Sequence, residues 1–533
     1  MMKAKKATVS AFLCFMLCSL PAYSDTGKEF VIGFGTSSFS LNPYRSIYAH
    51  EMQLHTGLYE GLFSYDPSTL DPVPALAESY SKSDDGLSWT FSIRKNAKWS
   101  DGSAITADDF VASWTYLLDP KTEAEYAVFL DIIKGAKDYR AGKTDRRQLG
   151  IKAKDANTLL VELENPAPYF TKLLCHSAFV VLHSSMLYKH DWAAYGLVVN
   201  GPYIISSVDE DSLLLDKNPY YWDKSSVSIE HIRFLFMDDE EENTRLYNQG
   251  GIHWLMDSGD LDQIANSYDI HFAPMFATAY YFWNSSIKPW NDARIRRALA
   301  MLIPWDRIRS EARYSMPTNT LILPFSGYKS PAGINTMNEQ IALRLLAQAG
   351  YPKGKGLPAV RIFYYPSSSQ MENMDIIEEA WAKHGIKLER FEAPPAYSIR
   401  EYRKNDFDLS FTSWIGDFAD PIAFLLMWLS SSGLNESFYK SMEYDNLIAQ
   451  SMLEEGQSRM NTLAKAENKL LNDAVIMPIY HSLSFNIIDT DYITGWYVNP
   501  LDLHPLKNLG FGLPKAKPFV ALGKPAQAES GTR

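Results

Sequence analysis

The feature that most limits how this chain can fold is its cysteine distribution, because two of its three cysteines lie in a segment that reads as a removable leader. Lys3, Lys5 and Lys6 precede an apolar stretch of 14 residues, Ala7 to Leu20, and Ala22-Tyr23-Ser24 puts small residues where a signal peptidase reads. Cleavage is expected after Ser24. The stretch is too short to span a bilayer. Leu13 precedes Cys14 and Leu17 precedes Cys18, so neither cysteine has the small neighbour a lipid anchor needs. The mature chain then keeps Cys175 alone, and one cysteine closes no intrachain disulfide. An exported chain of this length must be held by its core, which buries a rising fraction of surface as size grows.

The leader carries three lysines and no acid, so its loss moves the formal charge from −12 to −15. A nucleic-acid protein needs the opposite balance, and that class is excluded. No later apolar run is long enough to cross a membrane; the longest, Ala423 to Leu429, reads as a buried strand or helix segment. A soluble periplasmic protein, or an extracellular one where there is no outer membrane, is expected. The end, Pro514 to Arg533, is rich in Lys, Pro, Ala and Gly and reads as loosely ordered.

Strand and helix patterns alternate through much of the remainder. Apolar residues at 341, 342, 345, 346 and 349, stopped by Gly350 and Pro352, predict a helix, and Val360 to Tyr365 predicts a strand. Met374 to His384 reads as a second helix and Ile386 to Phe391 as another strand. That order predicts an α/β domain with a partly parallel sheet. Between about 60 and 200, short strands such as Trp89 to Arg94 and Thr158 to Glu164 suggest a smaller α+β unit. Asn461 to Ala474 predicts a helix and Val475 to Tyr480 the strand after it.

The usual chemical motifs are missing. Eleven histidines show no His-Glu-x-x-His and no paired cysteines, so no metal is expected. Gly33-Phe34-Gly35 lacks the third glycine of a dinucleotide loop, with Ser38 in its place, and reads as a strand-end turn. No phosphate loop or nucleophile elbow occurs, so the familiar nucleophilic and phosphate-binding classes find no support. Five acids, Asp238 to Glu242, suit a solvated helix start. The distinctive element is Ser413-Trp414-Ile415-Gly416-Asp417, after the strand-like Phe407 to Thr412. An aromatic face, bare backbone and a carboxylate together suit a cation, with an extended ligand added as a strand. A structural tryptophan and a turn aspartate are equally compatible with this pattern.

Further residues carry a resemblance. Leu58-Tyr59-Glu60-Gly61-Leu62, Pro74-Ala75-Leu76-Ala77-Glu78-Ser79, Trp89-Thr90-Phe91, Ala97-Lys98-Trp99-Ser100-Asp101-Gly102, Thr106-Ala107-Asp108-Asp109-Phe110, Asn200-Gly201-Pro202-Tyr203 and Lys217-Asn218-Pro219-Tyr220-Tyr221-Trp222 stand in the order found in one family. The chain resembles the extracellular solute-binding proteins of peptide ABC transporters, most closely the oligopeptide-binding receptors. The resemblance implies a two-lobed α/β periplasmic binding protein fold of class II, in the large peptide-binding cluster, with an extra α+β domain inserted in the first lobe. It places the first lobe at 25–60, 200–287 and 483–533, the insert at 61–199 and the second lobe at 288–482. It implies a peptide ligand, permease subunits of an ABC importer as partners, no cofactor, no membrane insertion, and a monomer. By the same resemblance Asp417 binds the peptide α-ammonium, Ser413 and Ile415 beside Trp414 bond the peptide backbone, and Tyr126 faces the ligand. Arg400 and Arg403 lie where a basic residue would meet the peptide carboxylate, on what also reads as a solvated helix face. Two positions depart from the pattern: Phe411 stands where these receptors often have arginine, and Ser482 where they have a ligand-facing tyrosine. Relatives with a nickel chelate, haem or a sensor role, and an exported hydrolase, are the alternative readings.

Overall fold

The computed structural model describes residues 29–513 except 36–38, 47, 125, 190–191, 311–314, 325–326, 335, 365–366, 393–406 and 433. The leader, the tail from Pro514, and both Arg400 and Arg403 lie outside the described residues.

An eleven-stranded mixed sheet runs through the molecule. Its centre is two long antiparallel strands, Ile270–Trp283 and Ile476–Ile488. On one side the sheet continues through Leu409–Ile415, Val360–Tyr364 and Leu388–Glu392. On the other it continues through Trp254–Met256, Glu29–Gly33, His231–Leu235, Ser212–Lys217 and Tyr203–Val208. The two central strands therefore belong to both halves. Their pairing slips between Pro274 and Thr278, where Pro274 lies opposite Leu483 but Thr278 lies opposite His481. Such a bulge bends a strand and sharpens its twist, and proline is at home there because it has no N–H to give the ladder. The expected strand Val475 to Tyr480 is thus much longer, and the boundary written at 482/483 falls inside it, at the bulge.

The predicted β-α-β unit is present: Val360–Tyr364 and Leu388–Glu392 pair in parallel, Val360 opposite Leu388, with the helix Ser368–Ala382 between them. That helix starts six residues before its apolar pattern does, because Ser367 caps it by accepting from Gln370 N. Tyr281 and Trp283 face this helix and Ala293–Met301, while Tyr280 and Phe282 pack on the opposite face, Tyr280 edge-on to Trp428. Both faces of this half of the sheet are covered, as a parallel sheet requires.

A separate four-stranded antiparallel sheet, Ala77–Lys82, Ser88–Ile93, Thr158–Glu162 and Ile151–Asp155, lies within the 60–200 region. Alternation buries Trp89, Phe91 and Ile93, with Trp89 edge-on to Phe170 and Phe91 beside the same ring, while the helix Ala107–Leu118 lies against the Thr158–Glu162 and Ile151–Asp155 strands. The Asp109 carboxylate closes the start of this helix, accepting from Thr106 N at 2.7 Å and Thr106 Oγ1 at 3.0 Å. Several quoted motifs prove to be joints. Buried Glu60 accepts from Tyr221 Oη, Trp222 Nε1 and Lys507 Nζ, tying two motifs to the far end of the chain. Asn200 bonds both backbone groups of Glu60, and a Cβ on Gly201 would collide with the Gly57–Tyr59 backbone. The acidic run starts a helix as expected, with Asp239 capping Glu240–Asn248. Ala423 to Leu429 is mostly buried and forms the short helices Ile422–Leu425 and Leu426–Trp428, with Leu426 and Leu429 half-buried.

Candidate functional site

The Leu409–Ile415 strand ends one residue before Gly416, so Ser413, Trp414 and Ile415 are its last residues and do not follow it as the sequence suggested. Its inner neighbour, Ile270–Trp283, pairs with it from Trp283 opposite Leu409 to Ala277 opposite Ile415. Its outer neighbour, Val360–Tyr364, reaches only Leu409 and Ser410. Among the described residues, Phe411–Ile415 therefore has one strand partner and one open edge. Gly416 N donates to Phe276 O at 2.7 Å, which fixes the phase of the ladder. Every second residue faces the inner strand, so 412 and 414 pair inward and the backbone groups of Ser413 and Ile415 point to the open edge. Both residues are exposed, while Trp414 is half-buried and donates from Nε1 to Ala423 O at 3.1 Å.

Gly416 is required by space. A Cβ there would run into the rings of Phe276 and Phe424, so only a bare backbone lets the chain turn under them. Asp417 follows. Its Oδ2 is closed off and has no hydrogen-bond partner among the described residues, although the residue as a whole is only half-buried. Burial pushes its carboxyl up to about 7, against the opposing pull of its own backbone and of a hydrogen bond from the Tyr126 hydroxyl. Tyr126 stands at the start of the Ala127–Ile132 turn, with its ring 4.6 Å from His176. Asp417 and Tyr126, nearly three hundred residues apart, are thus brought together.

The next turn is anchored by a different carboxylate. Asp420 is buried and forms a fork with Arg459, Oδ2 to Nη1 at 2.8 Å and Oδ1 to Nη2 at 2.7 Å, while Lys172 Nζ lies 3.8 Å from Oδ2. Lys172 also donates to Ala419 O at 3.0 Å, and Phe418 stacks on Tyr169 with centroids 5.6 Å apart. Sequence reasoning missed Arg459, on the amphipathic helix Gly456–Asn472, and Lys172, in the single turn Phe170–Leu173, since only the fold shows what they meet. Of the two departures, Phe411 packs edge-on to Tyr281 at 5.4 Å, and Ser482 pairs with Ser315 of the added strand Ser315–Pro317. Buried His55, His176 and His481 are pushed down to about 4, 3 and 4 by desolvation and stay neutral. No group of three His, Cys, Asp or Glu among the described residues could hold a metal, and no described helix is long and apolar enough to cross a membrane.

The model for bacterial extracellular solute-binding proteins, family 5 (Middle), matches residues 71–436. The chain belongs to this family. The periplasmic oligopeptide-binding protein OppA of Salmonella typhimurium is 31% identical over 502 residues, covering 89% of this chain and 91% of the relative. The solved murein tripeptide-binding protein MppA of Escherichia coli is 28% identical with a TM-score of 0.74, covering 91% of this chain and 98% of the other. The Haemophilus influenzae OppA solved in complex with RPPGFSPFR is 26% identical with a TM-score of 0.72, covering 91% and 99%. This family 5 chain has the two-lobed α/β fold of these binding proteins, and the two long central strands join its halves.

Proposed function

We propose that this family 5 chain is an exported receptor that encloses a peptide between its lobes and delivers it to the permease subunits of an ABC importer. Asp417 carries the reading. Its neighbour Asp420 has Arg459 and Lys172, whereas among the described residues Asp417 keeps a closed-off oxygen without a partner at the end of an open strand edge. A peptide laid along Phe411–Ile415 would bond the outward backbone groups of Ser413 and Ile415 and bring its α-ammonium to Asp417, with Tyr126 holding the carboxylate from the other side. The chain acts as a monomer from a periplasmic or extracellular position, its mature end at Asp25, with 61–199 as the inserted domain and the lobes meeting near the bulge.

Peptides are bound and not cleaved. A tri- to pentapeptide mixture incubated with the purified protein should be retained and recovered intact by mass spectrometry. Cleavage that disappears with a single substitution in this chain would make it a hydrolase.

Affinity should also depend on pH with a definite sign. The free carboxyl titrates near 7 and the bound one must be ionised, so below pH 7 binding releases a proton and weakens. Above about 8 the ligand's α-amine loses its own proton, so affinity peaks between the two values. Titration calorimetry in two buffers of different ionisation enthalpy reads the released proton at pH 6; Asp417→Asn should abolish it. An unchanged proton release in that variant would remove Asp417 from the site.

A further inference from the structure

A cavity of about 40 Å³ lies where three parts of the chain meet, and none of Ser413 to Asp417 lines it. One wall is the helix Ala49–Leu58, which contributes His55 and Thr56. A second is the strand Phe63–Tyr65 with the Leu58–Leu62 motif before it, and a third is the stretch at Cys175 and Ser177. Lys507, far along the chain, closes the remaining side.

Two of these side chains are buried with a polar atom that has no hydrogen-bond partner among the described residues. His55 is 1% exposed, and its Nε2 lies 2.9 Å from Ser40 O. A carbonyl only accepts, so Nε2 holds the ring proton and Nδ1 is left as a bare acceptor. Tyr65 is 3% exposed, and its hydroxyl, which can donate and accept, does neither. An acceptor and a donor thus line one cavity without reaching each other. Lys507 adds a further donor at the same wall, since its ammonium has three N–H groups and gives one to Glu60 Oε1 at 2.7 Å.

Cavities stay dry when their walls are apolar, and they hold water when polar groups and room are both present. Room is present: one water needs roughly 10–15 Å³ on the same measure, so the space suits about two or three. Water is also the right chemistry. It donates to the Nδ1 of His55 and accepts from the Tyr65 hydroxyl, directly or through a second water, and so satisfies two buried groups that are costly when left alone.

We propose that this cavity is an internal water-binding site, with His55 Nδ1 and the Tyr65 hydroxyl bonded to one small cluster of ordered waters. The cluster ties the helix Ala49–Leu58 to the Cys175–Ser177 wall. That wall is continuous with Lys172, which donates to Ala419 O at 3.0 Å, and includes His176, whose ring lies 4.6 Å from Tyr126. The water therefore backs the stretch of chain that meets the Asp417 turn. It does so whatever ligand that turn takes.

The test uses the full chain, unmutated and with Tyr65→Phe. A crystal structure of the unmutated protein should show water density within hydrogen-bond distance of both His55 Nδ1 and Tyr65 Oη. Nitrogen-15 NMR of histidine-labelled protein, with the His55 signal identified by its loss in His55→Gln, should show Nδ1 accepting a hydrogen bond. Tyr65→Phe should move that signal towards the free imine value, and oxygen-17 relaxation dispersion should count about one long-lived water fewer in the variant. A free imine signal in the unmutated protein, or xenon entering the cavity under pressure, would mean a dry site and overturn the proposal. So would a direct Tyr65–His55 hydrogen bond, an organic solute in place of water, or a His55 signal that Tyr65→Phe leaves unmoved.

Discussion

Asp417→Asn should weaken binding of a free-amine peptide by roughly 30- to 5,000-fold, the equivalent of about 2–5 kcal/mol for removing one partner of a buried charge pair. Most of that loss is the penalty of leaving the ligand's ammonium enclosed without a carboxylate to meet it. Asparagine keeps the shape and can still accept from the Tyr126 hydroxyl, so the change isolates charge. Acetylating the peptide amine removes the other half. Each change alone should be severe, and the two together should cost less than their sum, since the second removes a charge already left without a partner. Isothermal titration of one peptide and its acetylated twin against both proteins closes the cycle. Equal affinity for the two peptides in the unmutated protein would falsify the amine anchor and leave Asp417 a turn residue.

The second large effect is on stability. Arg459→Met should lower it by about 3–5 kcal/mol, because it leaves Asp420 charged, buried and without its fork. The two side chains are 4% and 2% exposed, so water cannot replace the lost contact. Lys172 at 3.8 Å is too far from Asp420 to form a direct hydrogen bond in its place. The damage should spread to ligand binding, since Asp420 Oδ1 also accepts from Ile422 N and so sets the turn that carries Asp417. Urea unfolding gives the measurement. Adding Asp420→Asn to Arg459→Met should recover part of the loss, as removing both charges costs less than removing one. A double variant less stable than Arg459→Met alone would mean that Asp420 works through its backbone turn and not through the ion pair.

Much of the architecture was legible because it rests on local pattern. The parallel β-α-β unit at 360–392 follows from apolar period and stop residues, which act over a few positions. The small antiparallel sheet follows from strict alternation in Ser88–Ile93. Ends of elements were less legible. Ser367 starts its helix through a cap that carries no apolar signal, and Ile476–Ile488 runs on past the expected end because it borrows partners from strands more than two hundred residues away.

The Trp-x-Gly-Asp element and the family order of motifs can be read without a fold, since residue type and spacing are local. Which groups are satisfied depends on the folded chain. It pairs Asp420 with Arg459, brings Tyr126 to Asp417, turns the backbone of Ser413 and Ile415 to an edge that is open among the described residues, and leaves Asp417 Oδ2 without a partner among them. The reason is physical. The strength of a charge or a hydroxyl depends on what desolvates it and what meets it, and here those neighbours come from parts of the chain that no local pattern connects.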